Sequence, residues 1–120
     1  MKFRELSLAL VLAVSFASPP ASSSAGYDVL ELPAVPSELA SKSLIYTIRE
    51  FNGRHYATGH HGHILFSDDD GATWTQAEVP VRSSITDIYF ATPELGWAVG
   101  HEGVILHSSD GGKTWVKQYD

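Results

Sequence analysis

The segment Ser67-Asp68-Asp69-Asp70-Gly71-Ala72-Thr73-Trp74 returns at Ser108-Ser109-Asp110-Gly111-Gly112-Lys113-Thr114-Trp115, and both copies fit the pattern S-x-D-x-G-x-T-W. The offset of 41 residues runs upstream without a gap through Ala57/Ala98, Gly59/Gly100, His60/His101, Gly62/Gly103, Ile64/Ile105 and Leu65/Leu106. A fixed period of this length marks a tandem repeat, in which each unit is one supersecondary element that buries its apolar face against a neighbour.

The motif carries its own turn chemistry. Ser67 and Ser108 can bond backbone groups a few residues away, and Asp69 and Asp110 can accept from the N–H groups of a tight loop. Gly71 and Gly112 supply a positive φ at little steric cost. Thr73-Trp74 and Thr114-Trp115 open the next strand, with the indole as an anchor over the turn. Every motif position is explained by structure, so the acidic residues read as turn-formers rather than ligands or catalysts. A calcium loop of the EF-hand type starting at Asp68 would need Gly where Thr73 stands and Glu where Val79 stands.

The residues around the motif have strand character: short β-branched and aromatic runs punctuated by Gly and polar turns. Four strands are predicted in each unit, at about 44–51, 54–59, 63–67 and 73–79, then 85–91, 96–100, 104–108 and 114–119. Gly59-His60-His61-Gly62 and Gly100-His101-Glu102-Gly103 stand where the second strand must reverse into the third. Ala57 and Ala98, each after a large aromatic (Tyr56, Trp97), suit the close approach of two sheets. Tyr56, Trp74, Trp97 and Trp115 are expected to be core and turn anchors. A four-stranded unit of about 40 residues with a Trp signature is the sequence form of a propeller blade.

The chain has 120 residues and no cysteine, which excludes disulfides, thiolate metal sites and a lipidated cysteine anchor. Residues 1–25 have the form of an export signal: Lys2 and Arg4, an apolar run from Leu6 to Phe16, then small residues, with cleavage expected after Ala17 or Ala25. The apolar run is short for a bilayer span. The protein is therefore expected to be exported to the periplasm or the extracellular space and not to be an integral membrane protein. Without Lys2, Arg4 and Glu5, six basic side chains face 13 acidic ones, a balance that argues against nucleic acid as a partner. Residues 26–42, with Pro33 and Pro36, read as an extended lead-in packed across the first repeat, with at most a helical turn near Ser37–Ala40. Blade 1 is then 43–82 and blade 2 is 83–120.

The chain resembles the BNR or Asp-box repeat family, and within it the photosystem II assembly and stability factor-like propellers. The residues that carry this are Gly96-Trp97-Ala98-Val99-Gly100, Gly103-Val104-Ile105-Leu106-His107-Ser108 and Asp110-Gly111-Gly112-Lys113-Thr114-Trp115, with a weaker copy at Tyr56–Gly59 and Gly62–Ser67. The resemblance covers about 43–119. It implies a ring of about seven blades that binds protein. In photosynthetic members the partner is a newly made photosystem II reaction-centre subunit on the lumenal side, met through a basic patch. Here the basic residues Lys42, Arg49, Arg54, Arg82, Lys113 and Lys117 are scattered along the chain.

Two chemistries compete with that reading. His60, His61 and His63, with His55, His101 and His107, have spacings that can bind zinc or copper, but His60 and His101 recur at equivalent turn positions, as structural residues would. A sialidase-like glycosidase would share the Asp-box and need an arginine cluster for a substrate carboxylate. Arg49, Arg54 and Arg82 fall on a strand, a turn and an inter-blade connection instead. The sequence thus predicts an all-β protein of two propeller blades, part of a larger propeller, without metal or cofactor. It is expected to be a non-catalytic module that binds another protein. The alternatives are a glycosidase fragment and a truncated propeller with no activity of its own. Two blades leave an apolar face at each end, which a longer chain or self-association into a ring would cover.

Overall fold

The computed structural model describes residues 28–118, so the expected export segment lies outside the described residues. Strands β1 (Ile45–Phe51), β2 (Arg54–Gly59), β3 (Ile64–Ser67) and β4 (Thr75–Gln76) form one antiparallel sheet in sequence order. Strands β5 (Ile85–Phe90), β6 (Gly96–Gly100), β7 (Ile105–Ser108) and β8 (Val116–Lys117) form a second sheet of the same order. These two sheets are the all-β blades expected from the repeat.

The 41-residue offset is a structural register. Tyr56 opposes Phe66 and Thr58 opposes Ile64 in the first sheet, as Trp97 opposes His107 and Val99 opposes Ile105 in the second. Side chains alternate between the faces of a strand. Each blade therefore has a leading face, carrying Tyr56, Thr58, Ile64 and Phe66 in blade 1, and a trailing face, carrying Ala57 and Leu65. The trailing face of blade 2 (Ala98, Leu106, Trp115) packs on the leading face of blade 1 to form the main core, with Tyr56, Ile64, Ile88 and Phe90 buried in it. Burying a side chain such as Ile64 or Leu106 contributes about 1.5–3 kcal/mol, so this seam is the chief source of stability.

Three expectations change. The fourth strands, predicted to reach residues 79 and 119, contain only two residues each. Ala77 N–H still donates to Ile64 O of its own sheet at 2.8 Å, and from Glu78 the backbone pairs with the next blade: Glu78 N–H donates to Lys113 O at 2.9 Å and Trp115 N–H donates to Glu78 O at 3.0 Å. The β2–β3 and β6–β7 reversals are not simple hairpin turns. Each is a short 3-10 turn, at His60–Gly62 and His101–Gly103, whose middle residue is left-handed, with φ 56° at His61 and 55° at Glu102, while Gly59 and Gly100 are extended. Finally, Trp97 is not a core anchor: it is only half-buried, because the face it stands on has no neighbouring blade.

The lead-in does pack across blade 1. Ala34 N–H donates to Val79 O at 2.8 Å, and Leu30 and Ala34 rest against the main core. A 3-10 turn at Ala40–Lys42 then presses Ala40, 2% exposed, onto Ala57 and Leu65. Among the described residues, no helix is long and apolar enough to cross a membrane.

Candidate protein-binding surfaces

The two S-x-D-x-G-x-T-W turns are built alike. Ser67 Oγ donates to Asp69 Oδ1 at 2.7 Å and accepts from Gly71 N–H at 2.8 Å; Ser108 Oγ donates to Asp110 Oδ1 at 2.8 Å and accepts from Gly112 N–H at 2.9 Å. Asp69 accepts from Thr73 N–H at 2.8 Å and from the Thr73 hydroxyl, and Asp110 accepts from Thr114 N–H at 3.0 Å and the Thr114 hydroxyl at 2.6 Å. A carboxylate that accepts several hydrogen bonds is favoured in its charged form. The bonds from Thr73, then from Ser67, hold the Asp69 carboxyl at about 2. At Asp110 partial burial pulls upward, but the bonds from Thr114, Ser108 and Lys113 outweigh it and bring the value to about 2. Both carboxylates are fully engaged in their own turns.

The tryptophans of the motif differ. Trp115 is buried and donates its indole N–H to Gly112 O at 3.0 Å, whereas Trp74 is half-buried beside Ala57 and Leu65. The cause is the neighbour: Trp115 has blade 1 against it, and Trp74 has only the lead-in.

At this end of the blades a cleft of about 300 Å3 opens between the turns, walled by Phe51, Arg54, Tyr56, Asp68, Glu94 and Lys113 among others. Arg54 spans it, bidentate to Asp68 at 2.7 and 2.9 Å and donating to Gly111 O at 3.0 Å, with its guanidinium 4.6 Å from the centre of the Phe66 ring. Tyr56 donates its hydroxyl to the same carbonyl at 2.7 Å and stacks on Phe90 with 4.3 Å between ring centres. Burial pushes the Tyr56 hydroxyl above its usual value.

The scattered cations are mostly occupied. Arg49 pairs with Asp87 at 2.6 Å, Lys117 with Glu31 at 2.9 Å, and Arg82 donates to Pro33 O at 2.8 Å. The three arginines that a glycosidase would converge on one carboxylate are thus spent on separate internal partners. At the turn end Asp68 is paired with Arg54, while Asp70 and Glu94 stand exposed, with Lys113 on the wall of the cleft.

The histidines also separate into different surroundings. His60 and His61 lie 4.7 Å apart by ring centres, and Tyr46 sits 6.0 Å from His60 and 6.1 Å from His101. His63 is buried beside Ser43 Oγ at 3.2 Å, and burial, then the charge of His61, lowers its basicity. His107 rests on Trp97 at 5.1 Å, and His55 faces Glu50 at 3.8 Å. Among the described residues no three His, Asp or Glu side chains converge as metal ligands.

The apolar end face expected of two blades is, on blade 2, its leading face. Val99 and Ile105 are 44% exposed there, and Tyr89 and Val116 60%. The signal for it was present in the repeat, since Ile105 is the counterpart of Ile64, which is fully buried.

Comparison with known proteins agrees with this architecture. Residues 67–119 match the family model described as photosynthesis system II assembly factor YCF48. No curated protein matches the chain. Among solved structures, YCF48 from Cyanidioschyzon merolae is similar, with a TM-score of 0.57 and 23% identity over 72% of this chain and 28% of that one. The chain thus spans little more than a quarter of that structure's length, and the likeness is one of fold. Over residues 67–119 the chain carries the BNR-type repeat of the photosystem II assembly factor YCF48 family, and its two sheets have the fold of blades of such a propeller.

Proposed function

We propose that this chain is a non-catalytic protein-binding module of the assembly-factor type, exported from the cytoplasm. The observation that carries the reading is the family match over 67–119, which covers both turns completely and all four strands of blade 2. Its chemistry supports docking rather than turnover. The motif carboxylates are consumed by their own turns, and the arginines by ion pairs and backbone carbonyls. What remains available is shape, exposed aromatic surface and the exposed carboxylates of Asp70 and Glu94.

The partner by family resemblance is a subunit of a membrane-protein complex, in a photosynthetic source a photosystem II reaction-centre subunit. With acidic side chains outnumbering basic ones and Asp70 and Glu94 exposed at the turn end, this chain would select a partner segment carrying Lys or Arg, with association that weakens as salt rises. The test is surface plasmon resonance of the chain against a detergent-solubilised reaction-centre subunit and against the same subunit with its exposed basic residues replaced. Saturable binding that falls with salt and with the replacement supports the reading; no binding to either overturns it. Export is tested by intact-mass analysis of secreted protein, where a retained Met1 would remove that part.

A further inference from the structure

Residues 35–44 cross blade 1 as a strap, with Ala40 seated on Ala57 and Leu65 and with Trp74 packed on the same cluster. Two of its ties are indifferent to pH: Ser37 N–H donates to Gln76 Oε1 at 2.9 Å, and Gln76 Nε2 donates to Val35 O at 2.9 Å. The third is not. Ser43 Oγ, which donates to Ala40 O at 2.7 Å, stands 3.2 Å from Nδ1 of His63. Imidazole is the side chain whose charge ordinarily changes between about pH 5 and 8.

His63 is 6% exposed, whereas every other histidine keeps part of its surface in solvent. The cavity beside it, about 280 Å3, is lined by Val35 and Ser37 of the strap, by His61 and His63, and by Arg82 of the connection to blade 2. The charge-bearing groups on that wall are cationic or can become so. His61 has its ring centre 6.2 Å from that of His63, and Arg82 is held on Pro33 O. His60 adds an imidazole from the same turn, 4.7 Å from His61. The strap's own charges, Glu38 and Lys42, are exposed, and none of the lining residues is a carboxylate. Desolvation and like charge both disfavour a protonated ring, and they outweigh the Val35 backbone hydrogen bond that favours it.

We propose that His63 is a protonation latch: in acid the strap lifts so that the ring takes up its proton in water, and the cluster of Ala57, Leu65 and Trp74 is uncovered. The latch needs only the burial of the ring and the one-sided charge around it, and it does not depend on the assembly-factor reading. Its sign follows from which state binds the proton. The closed strap holds the basicity of His63 below the ordinary value of 6.5, and lifting restores it. Closure is therefore fully favoured above pH 6.5 and loses ground as pH falls below it. One pH unit below that value multiplies the lifted fraction by as much as about tenfold.

The test is hydrogen exchange of the full chain read by mass spectrometry at about pH 7.5 and about pH 5.5, with rates corrected for the exchange chemistry. Peptides spanning 35–44 should lose about tenfold in protection at the lower pH, while peptides spanning 64–67 keep theirs. His63→Gln is neutral at both values and should abolish the loss. His61→Gln removes the like charge nearest the ring and should shrink it. Should His63→Gln lose its β-type circular dichroism at the higher pH, His63→Leu places a neutral apolar side chain in the same buried position and reads the same effect. Equal protection of the strap at the two pH values overturns the proposal. So does a loss that survives in the His63 variant, and so does a loss shared by 64–67, which would be unfolding of blade 1 rather than lifting of the strap.

Discussion

Gly62 and Gly103 occupy the same turn position in the two blades, with φ of 73° and 71°, yet their surroundings differ completely. A Cβ on Gly62 would lie 2.0 Å from the Val81 carbonyl oxygen, in the connection that crosses from blade 1 to blade 2. A Cβ on Gly103 would meet nothing within 4 Å. Replacing either by Ala carries the left-handed backbone cost of about 1–2 kcal/mol. Only Gly62→Ala adds the overpacking cost, since the connection must move by more than an ångström; that is about 1–3 kcal/mol further. At about 4–8 °C per kcal/mol for a domain of this size, Gly103→Ala should melt roughly 4–16 °C below the unaltered chain and Gly62→Ala at least 4 °C lower again. Thermal melts followed by circular dichroism, with calorimetry to check two-state behaviour, provide the comparison. Equal losses at the two sites would refute the reasoning, because the crossing connection would then not press on Gly62 and the blades would not be seated as described.

Three further outcomes follow from the seam and the turns. Tyr56→Phe keeps the stack on Phe90 and removes a hydrogen bond to the Gly111 carbonyl, which retains Arg54; the loss should be about 0.5–1 kcal/mol in urea unfolding, against about 3–5 kcal/mol for Tyr56→Ala. The Thr58 hydroxyl is buried without a partner and blade 2 has Val99 at the same position, so Thr58→Val should raise stability by about 1 kcal/mol, and a loss in the same assay would show that the hydroxyl is satisfied in solution. Asp69 and Asp110 have folded values of about 2, below the ordinary carboxylate value of 3.8, so the stability they contribute is present above pH 4 and is lost as pH falls from about 4 through 2. The double variant Asp69→Asn, Asp110→Asn should show a shallower fall of melting temperature across that window; an unchanged slope would place the acid sensitivity elsewhere.

The motif residues were legible because their chemistry is local. Ser67, Asp69, Gly71 and Thr73 bond within four residues of one another, so a short pattern carries the whole turn, and its return at 41 residues carries the second blade. The strand order is equally local, since each strand pairs with the next in the chain. The ends of the fourth strands were not legible, because Glu78 takes its partners from Lys113 and Trp115 in the other blade. Nor were the fates of the charges: Arg49 finds Asp87 and Arg54 finds the Gly111 carbonyl only once the two sheets are stacked.

By itself the sequence determined the fold class, the two units, their internal strand order and the chemistry of each turn, all of which depend on residues near one another in the chain. Only the tertiary structure decided which face of each blade is covered. Tyr56 and Trp97, or Leu65 and Leu106, are equivalent in sequence, but one member of each pair meets a blade and the other meets solvent or a strap. Burial depends on the neighbour across the seam, and a repeat that writes the same face twice does not say which copy will have one.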